Sequence, residues 1–120
     1  MSILATSDRL IILFYNPNSP IGKQSLAYAK GEGIQLREVD ILQYEFTGSL
    51  LKDLADRLGV PVDELINQEH PKFEKYKDSN LSNHDWLTFL RENTELIKEP
   101  IAIRGEKAMF VKTPSDLSRL

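Results

Sequence analysis

The sequence predicts an α/β protein: one mixed four-stranded sheet with helices on its faces, in the order β-α-β, helices, β-β-α. Three observations carry that prediction. A short, wholly apolar run, Arg9-Leu-Ile-Ile-Leu-Phe-Tyr15, is followed by a helical segment and then by a second strand pattern, all within about 30 residues. A middle stretch, about 47–93, repeats leucines and aromatics at helical spacing. The last part changes period again, with two short apolar runs flanking Arg104-Gly105-Glu106-Lys107.

Each element has a local reason. The first strand is apolar throughout, as a strand buried on both faces of a parallel sheet must be. Pro17 and Pro20 end it and hold Asn16 and Ser19 extended. Ser19 followed by Pro20 is a favoured helix start, so a helix is expected over Ile21–Lys30, with Leu26 and Ala29 facing inward and Gly31 and Gly33 at its end. Ile34–Ile41 alternates apolar and polar residues and reads as the second strand, making a right-handed βαβ unit. Thr47 caps a helix carrying Leu50, Leu51, Leu54 and Leu58 and ending at Gly59. Val60–Ile66 reads as a short helix with Pro61 near its first turn. His70-Pro71 to Asn80, including "FEKYKDSN", is polar and reads as a solvated loop. Ser82 caps a further helix with Asp85 in its first turn and Trp86, Phe89 and Leu90 inward. Ile101–Ile103 and Ala108–Val111 form a hairpin, and Thr113-Pro114 opens a last short helix. The order and the parallel and antiparallel pairings it implies are those of a thioredoxin-like architecture with a helical insertion.

Composition narrows the function classes. A chain of 120 residues is expected to form a single domain, 1–120, large enough to bury a core without staples. The net charge of −3 argues against direct nucleic-acid binding, which calls for a basic excess. There is no cysteine, so disulfides, thiolate catalysis and cysteine-ligated metals are excluded. The two histidines, His70 and His84, have no carboxylate pair at ligand spacing, and no metal is expected. "MSILATSDR" lacks the pattern of a signal peptide, and no apolar run reaches membrane-spanning length. A cytoplasmic protein, a monomer without a membrane partner, is the expectation.

Three segments, in their order and spacing, resemble the arsenate reductase ArsC/Spx/YffB family of thioredoxin-fold proteins, over nearly the whole chain from Arg9. "FYNPNSPIGKQSLAYAK" is similar to that family's strand-loop-helix with Asn-Pro-x-Cys-x-x-x-(Arg or Lys). "LKDLADRLGVPVDELIN" is similar to its helical insertion, and "LRENTELIKEPIAIRG" to its Asn-Pro-x-Leu-Ile-x-Arg-Pro-Ile. The resemblance implies a chemistry: in the family's reductases a cysteine at the helix N-terminus attacks arsenate, arginines hold the oxyanion, and glutathione with glutaredoxin resolves the adduct. Spx-type members instead bind RNA polymerase and sense redox state through a CxxC.

Carried over residue by residue, the cysteine position is Ser19. Asn16 and Pro17 keep the loop's Asn-Pro, and Lys23 keeps the basic residue four positions on. Asn67 stands at the end of the insertion, where arsenate reductases carry Arg and YffB- and Spx-like members also carry Asn. Glu99 stands where the family usually has Arg, before Pro100, the proline that the resemblance implies is cis. Lys112 aligns with a basic residue near the last strand.

A hydroxyl does not replace the thiol. A free thiol has a pKa of about 8.5, which a helix N-terminus or a cation lowers further. A serine hydroxyl starts far higher and needs a positioned base, and neither histidine lies in a motif that supplies one. Serine also cannot form the disulfides that return a reductase to rest. Ser19 is then a helix cap, worth about 0.5–2 kcal/mol. The helix end with Lys23 could still bind an anion, or a glutathione carboxylate without chemistry, although Glu99 brings a negative charge to a position that is positive in the reductases.

Three readings follow. The favoured one is a family member that has lost thiol redox chemistry and binds a protein partner or a small anion at Asn16, Ser19, Lys23, Asn67, Glu99 and Pro100. The second is an arsenate reductase-like, glutathione-dependent enzyme without a thiol of its own. The third is an Spx-like regulator that contacts RNA polymerase.

Overall fold

The computed structural model describes residues 9–120; the reading of the first eight residues as lacking a signal peptide lies outside the described residues. The chain divides into two compact units, one formed by the chain up to Ile41 together with Glu99–Leu120, the other by Leu42–Lys98.

The first unit holds the sheet. Strands β1 (Ile11–Tyr15), β2 (Leu36–Asp40), β3 (Ile101–Arg104) and β4 (Lys107–Phe110) line up in the order β2-β1-β3-β4. β1 runs parallel to β2, and β3 is antiparallel to both β1 and β4. This is the mixed sheet expected from the sequence. Ile11, Ile12, Leu13 and Phe14 are all buried, so the apolar run does occupy a strand covered on both faces. Ile11 and Leu13 pack with Ala29, Ala102, Val111 and Leu117, and half-buried Tyr15, Leu26, Tyr28 and Leu36 complete that core.

Helix α1 (Pro20–Gly31) starts one residue earlier than the spacing indicated, because Pro20 occupies its first turn and Ser19 caps it. Its buried face is Gly22, Ser25 and Ala29, with Leu26 only half-buried. The Ser25 hydroxyl satisfies itself inside its own helix by donating to the Ile21 carbonyl at 2.7 Å, which lets a polar residue face the core at low cost. At the other end Gly33 (φ 69°) lets the Ile34 N–H reach back to the Ala29 carbonyl at 2.9 Å and the Gly33 N–H to Lys30, a Schellman arrangement that turns the chain into β2. The last helix expected from the sequence is a 3₁₀ segment, Pro114–Arg119. It is held by the buried Asp116, whose carboxylate accepts from the Lys112 and Thr113 N–H groups at 2.9 and 3.0 Å and from Arg119.

In the second unit, helix α2 (Gly48–Leu58) is capped by Thr47 and closed by Gly59, and it buries Leu50, Leu51, Leu54 and Ala55. Helix α3 (Asn83–Glu92) is capped by Ser82 and buries Trp86 and Leu90, with Phe89 half-buried. The short helix expected over Val60–Ile66 is a 3₁₀ segment, Val62–Leu65, with Pro61 just outside it.

The stretch read as a solvated loop differs from expectation. Pro71–Tyr76 is a 3₁₀ helix capped by His70, whose Nδ1 accepts from the Lys72 N–H at 3.1 Å. Its Phe73 is only 4% exposed and stacks on Trp86, ring centroids 5.9 Å apart. One aromatic among charged neighbours has no helical or strand periodicity to reveal it, yet the phenyl ring gains from burial while the charged side chains beside it stay in water at no cost.

Phe73→Ala should therefore lower stability by about 3 kcal/mol in denaturant unfolding, the cost of deleting a buried ring. A change within about 0.5 kcal/mol, as for a surface position, would return the segment to the solvated-loop reading.

Candidate functional site

The site lies in the first unit, where β1 ends and α1 begins. The Asn16 side chain organises the turn: its Oδ1 accepts from the Asn18 N–H at 2.8 Å, and its carbonyl accepts from the Ser19 N–H at 3.0 Å. Ser19 is extended (φ −88°, ψ 139°), as the residue before Pro20 should be. Its Oγ accepts from the Gly22 N–H at 2.9 Å, satisfying one of the free donors at the helix start.

The same Oγ is also a donor, and its acceptor comes from far along the chain. Glu99 Oε1 takes the Ser19 hydroxyl at 3.1 Å and the Asn16 N–H at 2.9 Å. A single carboxylate oxygen thus bridges the loop and the cap. Glu99 precedes Pro100, and the Glu99–Pro100 peptide is cis, as the resemblance implied. Pro100 is buried, and its carbonyl accepts from the Val111 N–H at 2.8 Å. This fastens the segment entering β3 to the end of β4.

Gly22 completes the cluster, and sequence reasoning did not single it out. A Cβ placed there would lie 2.6 Å from the Asn16 carbonyl oxygen, 2.8 Å from Ser19 Oγ and 3.4 Å from Glu99 Oε1. The position is therefore closed to any side chain by backbone and by the capping oxygen. The signal that could have found it is a glycine in the first turn of a helix, where an ordinary helix former is worth about 0.5–1 kcal/mol more.

Of the residues proposed from sequence, Asn16, Ser19 and Glu99 come together by direct hydrogen bonds, with Pro100 next in the chain. Lys23 is exposed one turn into α1; its backbone N–H bonds the Ser19 carbonyl at 3.1 Å. Lys112 is exposed and contributes a backbone N–H to Asp116. Asn67 belongs to the other unit, where its N–H donates to the Leu96 carbonyl at 2.7 Å and its Oδ1 accepts from the Glu69 N–H at 3.2 Å. There it lines a shallow hollow with Glu64, Gln68 and Lys98.

Among the described residues two ionisable groups are shifted. Tyr15, the last residue of β1, is pushed up by burial and then by Glu38, whose carboxylate accepts the phenol at 3.3 Å, with Asp40 adding to it. Glu95 in the other unit is held low: burial, the largest single influence, pushes it up, but the hydrogen bond from Lys72 at 2.7 Å, its own backbone N–H and the charges of Lys72 and His70 together outweigh it. Neither belongs to the Ser19 cluster. Among the described residues no group of three or more His, Cys, Asp or Glu side chains is placed to hold a metal, and no helix is long and apolar enough to cross a membrane.

Fold and loop together define a thioredoxin-like α/β protein in which a serine caps the start of α1. No family model matches the chain. It is, however, 30% identical over 109 residues to an arsenate reductase of Haemophilus influenzae, covering 87% of this chain and 92% of that protein. It is 24% identical over 108 residues to the uncharacterised Escherichia coli protein YfgD, covering 88% and 91%. A solved arsenate reductase from Vibrio cholerae superposes with a TM-score of 0.83 at 21% identity, covering 92% of this chain and 97% of that one. The chain belongs to the arsenate reductase (ArsC) family, and its 120 residues include no cysteine.

Gly22→Ala discriminates between helix propensity and the packed cap. Propensity alone would make the variant more stable by about 1 kcal/mol; the contact with the Asn16 carbonyl should instead destabilise it by about 1–3 kcal/mol in thermal or denaturant unfolding.

Proposed function

We propose that this protein is a non-reducing member of the arsenate reductase family that acts by binding a protein partner. The observation that carries the reading is the Glu99 carboxylate on the Ser19 hydroxyl and the Asn16 N–H. The position where reductases need a thiolate holds a hydroxyl. That hydroxyl is already committed as acceptor to Gly22 and donor to Glu99.

Activation of Ser19 as a nucleophile would require a base that removes its proton and leaves the oxygen free to attack. Glu99 is a weak base for an alcohol, whose pKa lies far above a carboxylate's. His70 uses its Nδ1 as a helix cap, and His84 is exposed on α3 in the other unit. An alkoxide would also leave the catalytic cycle without a disulfide to reduce. These points speak against the glutathione-dependent reading as well, since glutathione resolves an adduct that has to form on the enzyme first.

The small-anion reading is disfavoured by the same carboxylate. A second anion at the loop would meet the Glu99 charge at hydrogen-bonding distance from the Asn16 and Ser19 donors it would need. A protein partner requires no such donor.

Arsenate reduction by the purified protein, assayed with glutathione and glutaredoxin, should not exceed the rate without protein. The same chain should show no rise in melting temperature with millimolar phosphate, sulfate, arsenate or glutathione. Turnover above background would overturn the reading, and a rise of several degrees with any of these ligands would restore the small-anion alternative.

A further inference from the structure

Ser19 and Glu99 lie 80 positions apart and share one hydrogen bond at 3.1 Å, on a carboxylate oxygen that also holds the Asn16 N–H at 2.9 Å. Glu99 is half-buried, Ser19 and Asn16 likewise. Two demands follow from that geometry. The carboxylate has only acceptors, so each neighbour on its loop-facing oxygen has to donate. A group at position 19 that carried negative charge would both withdraw its donor and face a like charge at contact distance. A neutral hydroxyl meets both demands, and it can serve at the same moment as acceptor for the Gly22 N–H.

We infer that Glu99 is the residue that sets the chemistry of position 19: it makes the loop intolerant of a thiolate, so the serine and the glutamate form a matched pair and neither can be changed alone to recover a reactive site. The inference rests on the non-reducing reading above and extends it from the missing cysteine to the surroundings that a cysteine would meet. The helix start and Lys23 favour a thiolate; Glu99 opposes it with a full negative charge at hydrogen-bonding distance. Lys23 is exposed and makes no ion pair with Glu99 among the described residues. The other ionisable group adjoining the loop, Tyr15, is occupied with Glu38 on the β2 side.

The test introduces the thiol and reads its ionisation. Ser19→Cys supplies the only cysteine in the chain, so the rise near 240 nm in excess of that of the unmodified chain at the same pH, which subtracts the four tyrosines, reports on that thiol. In the single variant the thiol should titrate above the ordinary value of about 8.5. In Ser19→Cys/Glu99→Gln it should titrate at least about one unit lower than in the single variant, a tenfold gain in thiolate at neutral pH. Ser19→Cys/Glu99→Arg should lie lower still. Equal values in the three backgrounds, or a single variant below the ordinary value, would overturn the inference while leaving the arsenate assay of the unmodified chain untouched.

If Ser19→Cys does not fold, the same charge is read through two other capping residues. Ser19→Asp, which brings a negative charge to the cap, should unfold at a lower denaturant concentration than the neutral Ser19→Asn, and the difference should shrink in the Glu99→Gln background. No difference between the two variants, or an equal difference without the Glu99 charge, would overturn the inference.

Discussion

One oxygen of Glu99 accepts from the Asn16 amide and the Ser19 hydroxyl, and the loop between β1 and α1 is organised around that contact. The amide is the first backbone donor after the strand; the hydroxyl belongs to the residue that caps the helix. A carboxylate bridging them joins the end of β1, the start of α1 and the segment entering β3 at a single point. Hydrogen bonds to an ionised acceptor are the stronger kind, worth about 1.5–3 kcal/mol when well shielded, and half-exposure here puts this one toward the low end of that range.

The surrounding geometry depends on that point. The Asx turn at Asn16–Asn18 aims the Asn16 carbonyl at the Ser19 amide and brings it close to Gly22. Gly22 has no side chain because the carbonyl, the capping oxygen and the carboxylate occupy the space. Glu99 presents its carboxylate to this loop while the carbonyl of the next residue, Pro100, holds Val111 beside β3. In the resemblance, the position before this proline holds an oxyanion with positive charge. Here the chain brings its own anion to the loop, on the oxygen that takes both the Ser19 hydroxyl and the Asn16 amide.

Much of this was legible in the sequence, and the reasons are specific. β1 is apolar at four consecutive buried positions, the pattern a doubly covered strand requires, and its shortness and β-branched content point to a strand. Ser19-Pro20, Thr47 and Ser82 each announce a helix start, and each side chain makes the capping bond expected of it. The hairpin and the mixed pairing followed from strand lengths and order. What remained hidden was decided by contacts distant in sequence. Glu99 could be placed near Ser19 by resemblance, but nothing local says that its carboxylate would take the Ser19 hydroxyl and the Asn16 amide together. Gly22 looked like an ordinary helix residue because its constraint is a carbonyl six positions back. Phe73 sat among charges with no period to betray its stacking on Trp86, and Ser25 faced the core because its helix, not a partner, satisfies it. Asn67 shared a motif with the site residues, yet it spends its hydrogen bonds on Leu96 and Glu69 within the other unit.

The most direct measurement of the bridge is a double-mutant cycle between Ser19→Ala and Glu99→Gln, read by denaturant unfolding of the two single variants, the double variant and the unmodified chain. Each single change carries its own cost, in the cap or in the Asn16 contact, and the cycle removes both from the comparison. A coupling energy of about 1 kcal/mol is expected for a charge-assisted bond at a half-exposed site. Additivity to within about 0.3 kcal/mol would mean that the carboxylate and the hydroxyl do not depend on each other, and would contradict Glu99 as the organiser of the loop.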